Sequence, residues 1–174
     1  IAEDLLLSAQ KRFQCDFIQV YGLTETSGGG TFLPPDAHDP ARGKLRSCGM
    51  PSPGVEVRID DGKGGEMPTG EVGEILIRSG VIMKGYWNRP EATAEAIDAD
   101  QWFHTGDAGY KDDEGFIYIH DRVKDMIVSG GENVYPAEVE NALFGHPDIA
   151  DVAVVGVPDD KWGEAVKAIV VLEQ

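Results

Sequence analysis

At 174 residues, with 41% apolar and 26% charged side chains, the chain has the composition of an ordinary folded protein and the length for one respectable core or two small ones. A formal charge of -16 with no run of Lys or Arg excludes a nucleic-acid binder, because phosphate backbones reward clustered cations. Two cysteines are too few for a disulfide framework or a metal cluster, and no apolar run reaches the length of a membrane span; a reducing, cytoplasmic setting is expected, with peripheral membrane association and oligomeric state left open.

In chain order, Leu5, Leu6, Ala9 and Phe13 recur at helical spacing over 4–13, and Phe17 to Tyr21 reads as a buried strand. That strand runs into Gly22 and so places Leu23 to Thr26 at its carboxyl end, where open α/β sheets hold ligands. The density of Pro, Gly, Asp and Arg from Pro34 to Gly54 predicts irregular backbone over the surface. Short alternating segments follow, Val55 to Ile59 and Glu74 to Arg78, flanking a turn-rich stretch from Asp60 to Gly73. A short helix is predicted over Pro90 to Ile97, with Pro90 in its first turn and Glu91 near its positive end, and a strand over Phe116 to Ile119.

The chain changes character at Asp121 to Pro136. Charged and apolar residues alternate from Arg122 to Val128, as in a short, partly exposed strand, and Gly130 and Gly131 allow a tight turn or a close approach to a ligand. Pro136 suits the first position of a helix that carries Val139, Ala142 and Leu143 on one face and stops at Gly145. Val152 to Val157 and Ala165 to Leu172 read as strands of a small α+β unit.

Three stretches, Tyr21-Gly22-Leu23-Thr24-Glu25-Thr26, His104-Thr105-Gly106-Asp107 and the run from Asp121 to Glu140, resemble in order three motifs of the adenylate-forming acyl-CoA synthetases. Those enzymes join a carboxylic acid to coenzyme A by way of an acyl-adenylate. The resemblance covers essentially the whole chain. It implies a mixed α/β and α+β fold: residues 1–35 as the tail of the α/β part of a large domain, 36–121 as its β-rich part, and 122–174 as part of a small C-terminal α+β domain.

The resemblance also implies roles. Tyr21 offers an aromatic surface for adenine, Thr24 a hydroxyl for the phosphates of ATP, and Glu25 a carboxylate for Mg²⁺, which prefers oxygen ligands. Asp107 would accept from the ribose hydroxyls, and Arg122 is the second ribose-facing residue. Lys124 occupies the hinge position, about which the small domain swings between an adenylating and a thioester-forming arrangement. Gly130, Gly131 and Trp162 match the wall of the pantetheine tunnel for coenzyme A. Taken without the resemblance, Asp107 reads as a turn aspartate, Arg122 and Lys124 as a solvated strand face, Trp162 as a surface aromatic, and His104 as a structural histidine.

The family's phosphate loop and its adenylation lysine have no match between Ile1 and Gln174, so the chain is expected to be a catalytically inert piece of a longer ligase. Trp87 to Thr93 and Asp159 to Glu164 lean toward the long-chain fatty-acyl branch. Two rivals remain in view: a nucleotide-binding or interaction module on the same scaffold without its chemistry, and a luciferase-like oxidoreductase that forms the same adenylate.

Overall fold

The structure is a computed structural model that describes residues 3–173. The chain divides into two compact units, one holding residues up to Thr105 together with Gly109–Ile119, the other Gly106–Ala108 with the residues from His120 onward. The first unit opens with α1 (Glu3–Phe13), followed by an antiparallel sheet of β1 (Gln19–Tyr21), β2 (Thr31–Leu33) and β3 (Met50–Pro51). Next come β4 (Val55–Asp60), β5 (Gly73–Ser79), α2 (Pro90–Ala96), β6 (Phe103–Lys111) and β7 (Ile117–Arg122), whose strands form one sheet in chain order. Alternation in β4 and β5 works as the sequence pattern requires: Val57 pairs with Ile77 and Ile59 with Ile75, and these side chains join Cys48 and Ile117 in a core against which Tyr21 packs.

The second unit contains β8 (Ile127–Ser129), β9 (Glu132–Val134), α3 (Pro136–Phe144), β10 (Ile149–Asp159) and β11 (Gly163–Leu172). Its sheet runs in the order β10, β11, β8, β9, and β10 and β11 form a long hairpin from Ile149 opposite Leu172 to Asp159 opposite Gly163.

Three sequence expectations change. The strand at 17–21 shortens to Gln19–Tyr21 and is not buried, since Ile18 and Val20 are 63% and 60% exposed. The segment from Pro34 to Gly54 is irregular but does not stay on the surface. Ala37, His38, Leu45, Ser47 and Cys48 are buried, and polar side chains serve its backbone: the Ser47 hydroxyl donates to the Ile117 carbonyl at 2.8 Å, and the Thr31 hydroxyl to the Cys48 carbonyl at 2.6 Å. The strand expected from Arg122 to Val128 is interrupted by a 3₁₀ turn over Val123–Asp125, because β7 ends and β8 begins on either side of it.

A charged cluster pins the first unit. Lys44 Nζ lies 2.7 Å from both Asp112 Oδ2 and Glu114 Oε1 and over the Phe116 ring, while Asp112 Oδ1 accepts from the backbone N–H groups of Glu114 and Phe116. Burial alone would raise the Asp112 carboxyl; the Lys44 bond and the backbone donors outweigh it and hold it below the usual carboxylate range. A depressed carboxyl stabilises the fold above its unfolded value of roughly 3.9 and stops doing so as pH falls through its folded value. Asp112→Asn should therefore melt below the wild type at pH 7, with the difference narrowing as pH falls below about 4. Thermal melts of the full-length protein across that range check it, and a difference independent of pH would show that the Asp112 charge contributes nothing.

Candidate functional site

In the first unit β1 delivers the chain to Gly22, and the backbone then turns through a 3₁₀ helix over Thr24–Thr26. Thr26 builds this turn. It is fully buried, and its hydroxyl both accepts from the Leu23 N–H at 2.9 Å and donates to the Leu23 carbonyl at 3.0 Å. Gly22 is required by close approach, since a Cβ there would lie 2.8 Å from the backbone of Gly28. With Thr26 committed inward, Thr24 is left exposed, and its hydroxyl has no partner among the described residues. It is thus open to a ligand.

Glu25 is half-buried beside it. One carboxylate oxygen, Oε1, accepts from the Tyr86 hydroxyl at 2.8 Å, while Oε2 has no hydrogen bond among the described residues. That bond, and secondly burial, push the Tyr86 phenol up. An open carboxylate oxygen and an exposed hydroxyl on successive residues of one turn are hard-oxygen donors, the kind that suit Mg²⁺ held jointly with phosphate oxygens. Sequence reasoning missed Tyr86, and the hint available was its place immediately before the Trp87 to Thr93 stretch already singled out.

In the second unit Asp107, only 7% exposed, is joined by Arg122, whose Nε lies 2.9 Å from Asp107 Oδ1. The two ribose candidates are therefore brought together, with 52% of the Arg122 side chain exposed and able to reach a ligand. Lys124 lies in the middle of the 3₁₀ turn and is exposed. Asp121, which sequence reasoning passed over, anchors both sides of that turn: Oδ1 accepts from the Arg122 N–H at 2.7 Å and Oδ2 from the Ala137 N–H at 2.9 Å. The latter bond satisfies an orphan donor of α3, whose own N-cap, Tyr135, makes no side-chain cap. The missing Ser, Thr, Asp or Asn at position 135 was the available signal.

A cleft of about 440 Å³ adjoins the turn, lined by the side chains of Asp121, Lys124, Asp125, Glu140 and Glu164 among others. Three of its carboxylates are occupied by backbone donors, Glu140 by the Val154 N–H and Glu164 by the Val128 N–H in addition to Asp121. It joins α3 to the sheet and, with this charge, does not suit an anion.

Gly130 and Trp162 meet directly. The Gly130 N–H donates to the Trp162 carbonyl at 2.9 Å, Gly130 has φ +62°, and a Cβ at that position would lie 2.7 Å from Trp162 Cε3. Asp159 Oδ1 accepts from the N–H groups of Lys161 and Trp162, and Lys161 Nζ sits 4.3 Å from the centre of the half-exposed indole. Gly131, at φ +88°, has open space around it. His104 bonds Glu74 through Nδ1 at 2.9 Å, as a structural histidine does.

The family described as AMP-binding enzyme matches residues 1–87 and the AMP-binding enzyme C-terminal domain matches residues 138–174, so the chain belongs to the AMP-binding, adenylate-forming family. Among curated relatives it is 49% identical to the fatty acid–[acyl-carrier-protein] ligase ScoC of Streptomyces coeruleorubidus, over 98% of this chain and 33% of the relative. It is 50% identical to the long-chain-fatty-acid–CoA ligase FadD13 of Mycobacterium tuberculosis, over 91% of this chain and 31% of that one. Among solved structures, o-succinylbenzoate CoA synthetase from Bacillus subtilis, in complex with its acyl-adenylate intermediate, superposes with TM-score 0.86 at 39% identity, covering 99% of this chain and 34% of that one. The same enzyme in complex with ATP and magnesium ion gives TM-score 0.85 at 37% identity, covering 100% and 35%. The chain thus spans about a third of the length of the proteins it matches.

The contact between Gly130 and Trp162 yields a test. Gly130→Ala adds both left-handed strain and a clash with the ring, and should destabilise the full-length protein by about 1–3 kcal/mol in urea while shifting Trp162 emission. Gly131→Ala adds strain alone and should leave that emission unchanged. Emission shifts of equal size in the two variants, referenced to Trp162→Phe, would show that the ring is not seated on Gly130.

Proposed function

We propose that the protein to which this chain belongs is an ATP-dependent acid–thiol ligase, which converts a carboxylic acid to its acyl-adenylate and then transfers the acyl group to a thiol. The observation that carries the reading is the Asp107–Arg122 ion pair within the second unit, supported within the first by the open Thr24 hydroxyl and Glu25 carboxylate at the end of β1. In the first half-reaction the acid's carboxylate oxygen attacks the α-phosphorus of ATP and pyrophosphate leaves. Tyr21 supports the adenine, the Thr24 hydroxyl donates to a phosphate oxygen, Asp107 accepts from the ribose, and Arg122 both holds Asp107 and faces the nucleotide. Glu25 would hold Mg²⁺, which when bound draws charge from the phosphate oxygens. In the second half-reaction a thiolate attacks the acyl carbon and AMP leaves. Gly130, Gly131 and Trp162 then line the path of the thiol, and Lys124 is the pivot between the two arrangements.

A fatty acid is the proposed substrate and coenzyme A the proposed acceptor. ScoC and FadD13 support the acid, and FadD13 and the Bacillus subtilis synthetase the acceptor, while the name of ScoC keeps an acyl carrier protein in the comparison. The test is pyrophosphate exchange into ATP by the full-length protein, which should require a carboxylic acid and run fastest with long-chain acids. Absence of exchange with every acid from acetate to palmitate would remove the ligase reading and leave a binding module.

The pivot has its own expected outcome. Proline fixes φ near -65°. Lys124→Pro should therefore keep adenylate formation within about tenfold of wild type while slowing thioester formation by about a hundredfold, as for a residue that gates one step. Arg122→Ala should instead slow adenylation, since its contact is with the nucleotide. Single-turnover kinetics that follow adenylate and thioester separately decide it, and equal slowing of both steps in Lys124→Pro would place the pivot elsewhere.

A further inference from the structure

The stretch from Val81 to Thr93 is not used by any role assigned above, yet it grips the Thr24–Thr26 turn at three points. The Met83 N–H donates to the Glu25 carbonyl at 2.7 Å, the Ser27 hydroxyl to the Val81 carbonyl at 3.0 Å, and the Tyr86 hydroxyl to Glu25 Oε1 at 2.8 Å. The first holds the backbone of the turn, and the second holds the Ser27 side chain just after it. Only the third holds the Glu25 side chain.

Tyr86 is itself held from behind. Its N–H donates to Thr93 Oγ1 at 2.9 Å, and that hydroxyl donates in turn to the Arg89 carbonyl at 2.8 Å, so α2 sets where the phenol stands. Gly85, with φ +146°, lets the chain pass against Thr93: a Cβ there would lie 2.8 Å from Thr93 Cγ2. The path from α2 through Thr93 and Tyr86 to Glu25 is continuous hydrogen bonding within one compact unit. Its effect on Glu25 is selective, because one oxygen is occupied by a donor and the other has no hydrogen bond among the described residues.

We infer that Tyr86 is a positioning residue for the reaction, which holds the Glu25 carboxylate in the rotamer that presents Oε2 to a divalent cation bound with the nucleotide. This rests on the ligase reading, in which Glu25 is the metal ligand. A free glutamate side chain samples several rotamers and loses that freedom on binding a metal; a hydroxyl that has already fixed it removes part of the cost. The hydroxyl is neutral, so it orients the carboxylate without cancelling the charge that a cation needs. A lysine in the same place would compete with the cation.

The test uses the full-length enzyme, Mn²⁺ and a non-hydrolysable ATP analogue, with Mn²⁺ binding read by electron paramagnetic resonance. Tyr86→Phe retains the ring and removes only the hydroxyl. It should weaken Mn²⁺ binding in the presence of the analogue by about fivefold, the loss of one ordinary hydrogen bond, and raise the Mg²⁺ needed for half-maximal pyrophosphate exchange to match. The KM for the acid and the melting temperature without metal should not change. Unaltered Mn²⁺ binding in Tyr86→Phe, with wild-type binding intact, overturns the inference and leaves the ligase reading standing. Weaker Mn²⁺ binding accompanied by a raised KM for the acid and a lower melting temperature overturns it too, since Tyr86 would then serve the fold. A wild-type enzyme that binds no Mn²⁺ with the analogue, or a Glu25→Gln variant that binds it as well as wild type, overturns the metal-site reading of Glu25 and this inference with it.

Discussion

The first unit depends on the fact that β5 has no solvent side. Ile75, Leu76 and Ile77 are all fully withdrawn from water, and successive strand residues point to opposite faces, so both faces must be covered. On one face Ile75 and Ile77 join Ile59, Cys48 and Ile117. On the face of Leu76 the guanidinium groups of Arg58 and Arg78 lie on the Trp102 ring, 4.8 and 4.4 Å from its centre. Each buried isoleucine contributes about 2–3 kcal/mol. A slip of one residue between β4 and β5 would turn Arg58 inward in place of Ile59, which fixes the register. The neighbouring strand is tied to this one where the Thr105 hydroxyl donates to the Ile75 carbonyl at 2.7 Å, two residues before Asp107.

Core demands of this kind also explain why the irregular segment before β4 runs inside the unit. Cys48 and Ile117 meet in the core, and the Cys48 N–H donates to the Ile117 carbonyl at 2.9 Å while the Ile117 N–H donates to the Gly49 carbonyl at 2.8 Å. Lys44, a few residues earlier, can reach Asp112 and Glu114 because those bonds bring its segment alongside the start of β7. Tyr21, packed against the same core, is held by the same arrangement.

Much of this was legible in the sequence, for a physical reason. The alternation in β4 and β5, Pro90 and Pro136 at helix starts, and the stop at Gly145 are local signals, set by each segment's own geometry. What escaped was set by partners distant in the chain. β6 contains Gly106, Asp107, Ala108 and Gly109, which carry no apolar period, and it is a strand because its neighbours complete it. Alternation from Arg122 to Val128 concealed the 3₁₀ turn because the bond that anchors it is donated by the Ala137 N–H to Asp121 Oδ2, across the turn. Ile18 and Val20 matched a buried strand in composition, but they are exposed on this chain. In the candidate site Thr24, Glu25, Asp107 and Arg122 could be singled out by motif, whereas Thr26 and Tyr86 act through bonds that no spacing announces.

The two candidate carboxylates, one in each unit, differ in the partner each is given. Asp107 is nearly buried and one partner is a full cation, Arg122, so on the proposed reading the pair would present little net charge to a ribose. Glu25 is less buried and its side-chain partner is a neutral hydroxyl. A neutral donor orients that carboxylate without bringing a competing cation, which on the proposed reading suits a metal that bridges to phosphate. Exchanging the two partners would work against both proposed roles: a cation at Glu25 would compete with a metal, and a neutral donor in place of Arg122 would take the cation away from the nearly buried Asp107. On that reading the choice of donor, charged at one carboxylate and neutral at the other, is what would separate a nucleotide-holding acid from a metal-holding one on the same chain.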